Sequence, residues 1–342
     1  MSSMNKAPSI ECQISRIAIE TQSCISIYLR RVDGLPFLQF SAGQYVALNL
    51  VVQGQSLRRC YTISSSSQDS SVIRLTIERV NQGLVSNWLC DHVAIGLRLD
   101  VGEPTGQFVL PSESKKKLLW MAAGSGVTPF IAMLHELVDT QLSCDVVMLI
   151  SVKQRQDLIG SNELEALIKH LPNVKLVTTF TSEADVSSEQ FGRWTAERIA
   201  DICSDLDGRL AYLCGGAAFT TDMQQALISL GMAPENVMVE SFFAVNTHNT
   251  IEAELTSMHV QLMPHGVQWK TDGTQTLLAL SESQGVEIPS VCRSGLCGAC
   301  SVTVKGPCHS EGREALDDAS FDAGVRLACM TFPRGDCVVE LN

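Results

Sequence analysis

Three cysteines fall within the nine residues CRSGLCGAC, at Cys292, Cys297 and Cys300. The spacing Cys292-x4-Cys297-x2-Cys300, with Cys329 after residues 301–328, suits thiolates that converge on a pair of irons, three from one loop and one from a distance. A loop that wraps a metal so tightly needs backbone freedom, which Gly295 and Gly298 supply. A zinc site would more often show two close cysteine pairs, and here the fourth thiol stands alone. A disulfide framework needs an oxidising compartment, and a chance grouping of free thiols is the remaining alternative. Cys308 and Cys337 lie outside the pattern and are read as non-ligands.

A two-iron cluster exchanges electrons singly, so the rest of the chain is searched for their source. AAGSGVTP, Ala122 to Pro129, lies between an apolar run and a helical pattern. Gly124 and Gly126 permit a tight turn whose N–H groups approach a phosphate at a helix start, and Pro129 suits the first turn of that helix. LCGGAAF, Leu213 to Phe219, repeats the device after a later run. RRCYTISS, Arg58 to Ser65, spaces a cation, an aromatic ring and hydroxyls along a strand. GLVSNWL, Gly83 to Leu89, places a glycine and a serine where a helix begins, a second phosphate candidate and hence a diphosphate. Each stretch taken singly is also compatible with an ordinary turn or strand.

These segments need elements to position them. From Ser9 to Leu110 short β-branched runs separated by Gly, Pro, Asn and Ser predict an antiparallel β-barrel or sandwich with one helix at LVSNWLCDHV. From Lys117 the runs KLLWMAAG, CDVVMLISV, NVKLVTTF, RLAYLCGG and NVMVESFF alternate with helical patterns, which predicts an α/β doubly wound parallel sheet. AVNTHNTIEAELTS reads as a linker, and a third unit carries the cysteines. The expected domains are 8–111, 115–243 and 258–342, with 244–257 between the last two.

Length and charge agree with such a multi-domain chain. The 342 residues exceed one ordinary domain, and a formal charge of −12 disfavours nucleic acid or an anionic membrane as the main partner. The apolar stretch from Leu118 to Leu134 is short for a membrane span and is interrupted by Gly124, Gly126 and Pro129. The first residues lack the apolar core of a signal peptide, and thirteen cysteines, an odd number, fit a reducing, cytoplasmic setting.

The segment 258–342, with CRSGLCGAC and RLACMTFPRGD, resembles a plant-type ferredoxin domain of the α+β β-grasp fold. That resemblance implies Cys292, Cys297, Cys300 and Cys329 as ligands of a [2Fe-2S] cluster, wrapped by Arg293, Ser294, Leu296, Gly298 and Ala299. The preceding segments resemble the ferredoxin-NADP reductase superfamily, a flavin-binding antiparallel barrel followed by a nicotinamide-binding domain. RCYT matches the family's flavin motif and implies Arg59 on the diphosphate, Tyr61 stacked on the ring and Thr62 near its N5, with Ile63 and Ser64 beside them. GLVSNWL implies Gly83, Val85 and Ser86 at the diphosphate and favours FAD. AGSGVTP implies Gly124, Ser125, Gly126, Val127 and Thr128 on the nicotinamide dinucleotide. CGG stands where the family usually has Cys-Gly-Pro, which puts Cys214 at the nicotinamide with Gly215 and Gly216 in its loop. VESFF implies Glu240 and one of Phe242 or Phe243 at the flavin.

The function so implied is an oxidoreductase passing electrons from NADH to FAD to [2Fe-2S] to an acceptor protein, with Thr62, Cys214 and Glu240 nearest the chemistry. Lys153 and Arg155 beside Asp157 leave NADPH possible. Two subgroups share the domain order: one reduces the hybrid-cluster protein, and the other serves oxygenases, demethylases or desaturases. The linker, RQDLIGSNEL and VESFF look more like the first. Glu311, Glu314, Asp317, Asp318 and Asp322 suggest either an acidic docking surface for a basic partner or a solvated helix face. A redox sensor, or a barrel that binds no flavin, are the readings of another class.

Overall fold

The computed structural model describes residues 9–81, 83–111, 116–182, 191–242, 258–264, 266–273, 275–286, 288–290, 295, 298–310 and 315–341. The chain forms two compact units, Met1–Phe242 and Phe243–Asn342.

The first unit opens with β1 (Ser9–Thr21), β2 (Cys24–Arg31), β3 (Tyr45–Val52), β4 (Gln55–Thr62), β5 (Ile73–Glu78), helix α1 (Leu84–His92) and β6 (Arg98–Gly102). All pairings are antiparallel, in the order β4-β3-β6-β1-β2-β5. The two edge strands meet through a bridge between Ile63 and Leu75, which closes the sheet on itself. Alternation along the strands sends Ile27, Leu29, Leu48, Leu75 and Ile77 into one core, and Val85 and Leu89 of α1 plug it.

The second half of this unit comprises β7 (Lys117–Ala123), α2 (Thr128–Thr140), β8 (Asp145–Val152), α3 (Ser161–Ile168), β9 (Val174–Phe180), α4 (Ala196–Ile202), β10 (Arg209–Gly215), α5 (Ala217–Ser229) and β11 (Val237–Ser241). The strands are parallel in the order β11-β10-β7-β8-β9. The continuous apolar runs of β7, β8 and β10 are buried on both faces, as expected of a sheet covered by helices. β9 differs: at the sheet edge it leaves Lys175 exposed. Lys117, the first residue of β7, makes a structural contact, its Nζ lying 2.7 Å from Asp205.

Barrel and parallel sheet share a core, because Ala42, Cys24, Phe108 and Leu110 pack with Trp120, Phe130 and Tyr212. Polar groups fasten the same junction. Glu136 of α2 accepts from the N–H of Ala42 at 2.9 Å and from Ser67 Oγ at 3.0 Å, and Tyr212 donates to Val109 O at 3.0 Å. Arg74 of β5 is buried; it donates to Ser64 through Nε at 3.0 Å and pairs with Glu163 of α3 at 2.7 Å, while His135 Nε2 lies 2.6 Å from the other Glu163 oxygen.

Burial would raise the Glu163 carboxyl, but hydrogen bonds from His135 and Arg74 outweigh it and hold the group below its ordinary value of 4.5. A depressed carboxyl contributes stability that is complete above the unfolded value and is lost as pH falls through the folded one. Glu163→Gln is therefore expected to cost about 2 kcal/mol, less than the ~3–5 kcal/mol of breaking a fully buried pair, because 27% of the Glu163 side chain remains exposed. Urea unfolding followed by far-UV circular dichroism checks this. The gap between wild type and variant should hold above pH 4.5 and shrink below it.

The second unit contains β12 (Met258–Met263), β13 (Val267–Thr271), α6 (Leu277–Ser283), β14 (Ser301–Lys305), β15 (Cys308–Ser310), α7 (Asp318–Asp322), β16 (Val325–Leu327), β17 (Thr331–Pro333) and β18 (Cys337–Leu341). Its main sheet runs β13-β12-β18-β14-β16, with first and last strands side by side and parallel, and α6 packed against it. This mixed sheet with a packed helix is the expected α+β arrangement. Residues 244–257, Glu311 and Glu314 lie outside the described residues. Of the remaining acidic set, Asp317 caps α7, accepting from Ser320 N–H at 2.6 Å, while Asp318 and Asp322 are exposed.

Candidate functional site

In the parallel sheet, chain order runs outward from β7 to β8 and β9 on one side and through β10 to β11 on the other. The reversal lies between β7 and β10, and the carboxyl ends of strands flanking such a switch point form a crevice for ligands. The glycine turns predicted from sequence sit there. Gly124–Val127 forms a single 3-10 turn between β7 and α2, and Gly215–Gly216 ends β10 and opens α5. Thr128 Oγ1 donates to Ser125 O at 2.8 Å and ties the turn to α2.

The two turns touch backbone to backbone. A Cβ on Gly126 would stand 2.1 Å from Cys214 O and 2.7 Å from Gly215 N, so no side chain fits. Register carries the arrangement to β11, since Cys214 pairs with Glu240 and Gly215 with Ser241. Cys214 Sγ lies 3.9 Å from Glu240 Oε2, and both residues are buried. Burial, then the neighbouring Glu240 charge, pushes the Cys214 thiol well above its ordinary value. The thiol therefore stays protonated at neutral pH, which suits a neutral neighbour to a ring and not a nucleophile.

On the barrel side, β4 delivers Arg59 and Tyr61, both half-buried, and Thr62, which is buried. Arg59 donates to Arg58 O at 2.8 Å, and Tyr61 packs against the barrel core, where burial raises its phenol above the ordinary value. Among the described residues the buried Thr62 Oγ1 has no hydrogen-bond partner. A buried hydroxyl left unsatisfied costs ~1–3 kcal/mol, and a bound ring with exposed nitrogens and oxygens would supply the missing partner. The residues present thus fit a flavin.

Ile63 and Ser64, grouped with them from sequence, are placed differently. Ile63 is fully buried and donates its N–H to Gln44 O at 2.9 Å. Ser64 has its N–H bonded to Arg74 O at 2.8 Å, its hydroxyl to Thr76 Oγ1 at 2.9 Å, and its carbonyl to Arg74. Every polar group of Ser64 is engaged inside the barrel, so its part is to brace the strand behind Thr62.

Gly83 precedes α1 without a side-chain cap, while Ser86 Oγ turns back to accept from Val80 N–H at 3.2 Å. Val85 and Ser86 are buried, and the first-turn amides of α1 are those a helix leaves without an internal acceptor. These donors and the partial positive charge of the helix start suit a diphosphate. Sequence reading passed over Glu78, the last residue of β5, whose Oε2 accepts from Ser125 N–H at 3.1 Å. No motif marks it; only closure of the barrel against β7 brings it to the turn. Phe243 lies outside the described residues, and its neighbour Phe242 donates its N–H to Gly215 O at 3.0 Å.

In the second unit, Cys300 and Cys329 are buried in one core, joined by a 2.9 Å bond from Ala328 N–H to Cys300 O. Gly295 and Gly298 have φ of +80° and +73°, the left-handed backbone that lets the loop curl. This fits a cluster held where Cys300 meets the turn at Cys329. Cys292 and Cys297, with Arg293, Ser294 and Leu296, lie outside the described residues.

Family models match the whole series. An oxidoreductase FAD-binding domain matches residues 20–110, an oxidoreductase NAD-binding domain residues 120–225, and a 2Fe-2S iron-sulfur cluster binding domain residues 260–334. NADH oxidoreductase HCR of Escherichia coli K12 is 31% identical over 96% of each chain. The ferredoxin reductase component of 3-ketosteroid-9-alpha-monooxygenase from Rhodococcus rhodochrous is 30% identical over 96% of this chain and 95% of its own. The solved structure of phthalate dioxygenase reductase, a modular structure for electron transfer from pyridine nucleotides to [2Fe-2S], gives a TM-score of 0.70 over 97% of this chain and 98% of that one. Its 20% identity makes that a likeness of fold. Among the described residues no helix is long and apolar enough to cross a membrane.

Proposed function

The chain belongs to the ferredoxin-NADP reductase superfamily, as an oxidoreductase with FAD-binding, NAD-binding and C-terminal 2Fe-2S domains, and from that premise we propose that it carries electrons from NADH to a hybrid-cluster protein. The observation that supports the electron path most is the switch-point crevice, where the Gly124–Val127 turn, Cys214 and Glu240 stand together beside the barrel that presents Thr62.

In this reading Arg59 and the α1 amides from Gly83 to Ser86 hold the FAD diphosphate, Tyr61 stacks on the ring, and Thr62 donates to it. Gly124, Ser125, Gly126, Val127 and Thr128 hold the dinucleotide, and Gly215 and Gly216 leave its nicotinamide end room beside Cys214. Glu240 keeps the Cys214 thiol in place and protonated. Cys292, Cys297, Cys300 and Cys329 hold the cluster. When bound, the flavin converts the two electrons of a hydride into single electrons that a [2Fe-2S] cluster can take. The protein's contribution is therefore placement and exclusion of water, and no residue need act as an acid or base in the outward transfer.

HCR is named as an NADH oxidoreductase, and its similarity spans nearly the whole of both chains. That supports NADH as donor, and the resemblance carried by RQDLIGSNEL and VESFF supports the hybrid-cluster acceptor. A cytoplasmic location is part of the same reading, in keeping with the many thiols. A second reading, the reductase of an oxygenase or demethylase, is favoured by the equally extensive likeness to the ketosteroid monooxygenase component. Steady-state assays with NADH and each purified acceptor separate the two. The proposal predicts reduction of a hybrid-cluster protein at least about tenfold more efficient, ~1.4 kcal/mol, than that of an oxygenase component; the reverse order would select the second reading.

A further inference from the structure

The glycine turn that the proposed function gives to the dinucleotide already holds an anion of the protein's own. Glu78 ends β5 of the barrel, half-buried, and its Oε2 lies 3.1 Å from Ser125 N. Its two carboxylate oxygens would lie 3.2 Å and 3.5 Å from a Cβ on Gly124, whose φ is +56°. The carboxylate thus lies directly over the turn at the point where β7 gives way to α2. Among the described residues no lysine, arginine or histidine pairs with Glu78, so its charge is not neutralised by a neighbouring cation.

An amide at a glycine turn leading into a helix attracts negative charge, and the negative part of a nicotinamide dinucleotide is its diphosphate. A carboxylate bonded to that amide takes up one donor and adds a repelling charge beside the others. Resting on the dinucleotide reading of this turn, we propose that Glu78 sets the affinity of the site by competing with the dinucleotide's diphosphate for Ser125 N–H. Binding requires the carboxylate to swing away. Reduced and oxidised dinucleotides carry the same diphosphate, so both are held more loosely, and the adenosine end, which carries no charge, is indifferent to Glu78.

The test uses the full-length flavin-loaded protein and measures binding by calorimetry, with ADP-ribose and adenosine as probes. Glu78→Gln removes the charge while keeping an oxygen that can accept from Ser125. It should lower the ADP-ribose Kd about three- to tenfold, the size of one part-exposed charge at a helix start, with adenosine affinity unaltered. Glu78→Lys should lower the ADP-ribose Kd further. An unchanged or raised ADP-ribose Kd in Glu78→Gln would overturn the competition, as would an equal gain for adenosine. If the wild-type protein binds neither ADP-ribose nor NADH, the dinucleotide reading of the turn fails, and this inference with it.

Discussion

Cys329→Ser should yield a protein that retains flavin, is still bleached by NADH, and delivers almost no electrons to a one-electron acceptor. Cys329 is buried in the second unit together with Cys300, and the bond from Ala328 N–H to Cys300 O fixes the two stretches against each other. A hydroxyl at this place is a harder and weaker iron ligand than a thiolate. Acceptor reduction is expected to fall by more than about 100-fold, beyond the 10–100-fold typical of losing a group that only orients a ligand. Iron content and the visible bands of the cluster should fall in parallel. Cys337→Ser is the control: that cysteine is buried outside the motif, where burial pushes its thiol up to about 11, and its replacement should leave the cluster bands in place.

Gly126→Ala should disable the donor side instead. The added methyl would meet three backbone atoms of Cys214 and Gly215, the nearest at 2.1 Å, none of which can rotate aside. Either the turn or the end of β10 must move by about 1 Å, and a displacement of that size next to reacting atoms costs on the order of 100-fold. The expected result is a fall of about that size in kcat/KM for NADH, with flavin content retained and the cluster still reducible by a chemical reductant. Overpacking costs ~1–3 kcal/mol of stability, so melting temperature and flavin content are measured alongside. A variant with wild-type kcat/KM would show that the close approach of Gly126 to Cys214 has no part in dinucleotide placement.

Legibility in the sequence followed the strength of the physical constraint. The strands β7, β8 and β10 announce themselves as unbroken apolar runs because both their faces are covered, and the cysteine spacing stands out because three ligands of one cluster can come from one short loop. β6 was harder to see: its sequence RLDVG alternates charge with apolar residues, and it becomes a strand by lying between β1 and β3. Ser64 follows Thr62 at strand spacing and so reads as part of the same row of hydroxyls, whereas the strand ends at Thr62 and the Ser64 hydroxyl meets Arg74 and Thr76. Asp317 reads as surface charge and proves to cap a helix. Glu78 carries no sequence signal at all, because its partner is 47 positions away and meets it only when the barrel packs against the parallel sheet.

Electrons in this protein are proposed to follow a linear path from dinucleotide through flavin to cluster. Anaerobic stopped-flow mixing with NADH, following the flavin and cluster bands separately, tests it most directly. The flavin band is expected to bleach first and the cluster band to follow, with the second phase absent in Cys329→Ser. A flavin that bleaches while an intact cluster stays oxidised, or a cluster reduced at the same rate in protein stripped of flavin, would contradict it.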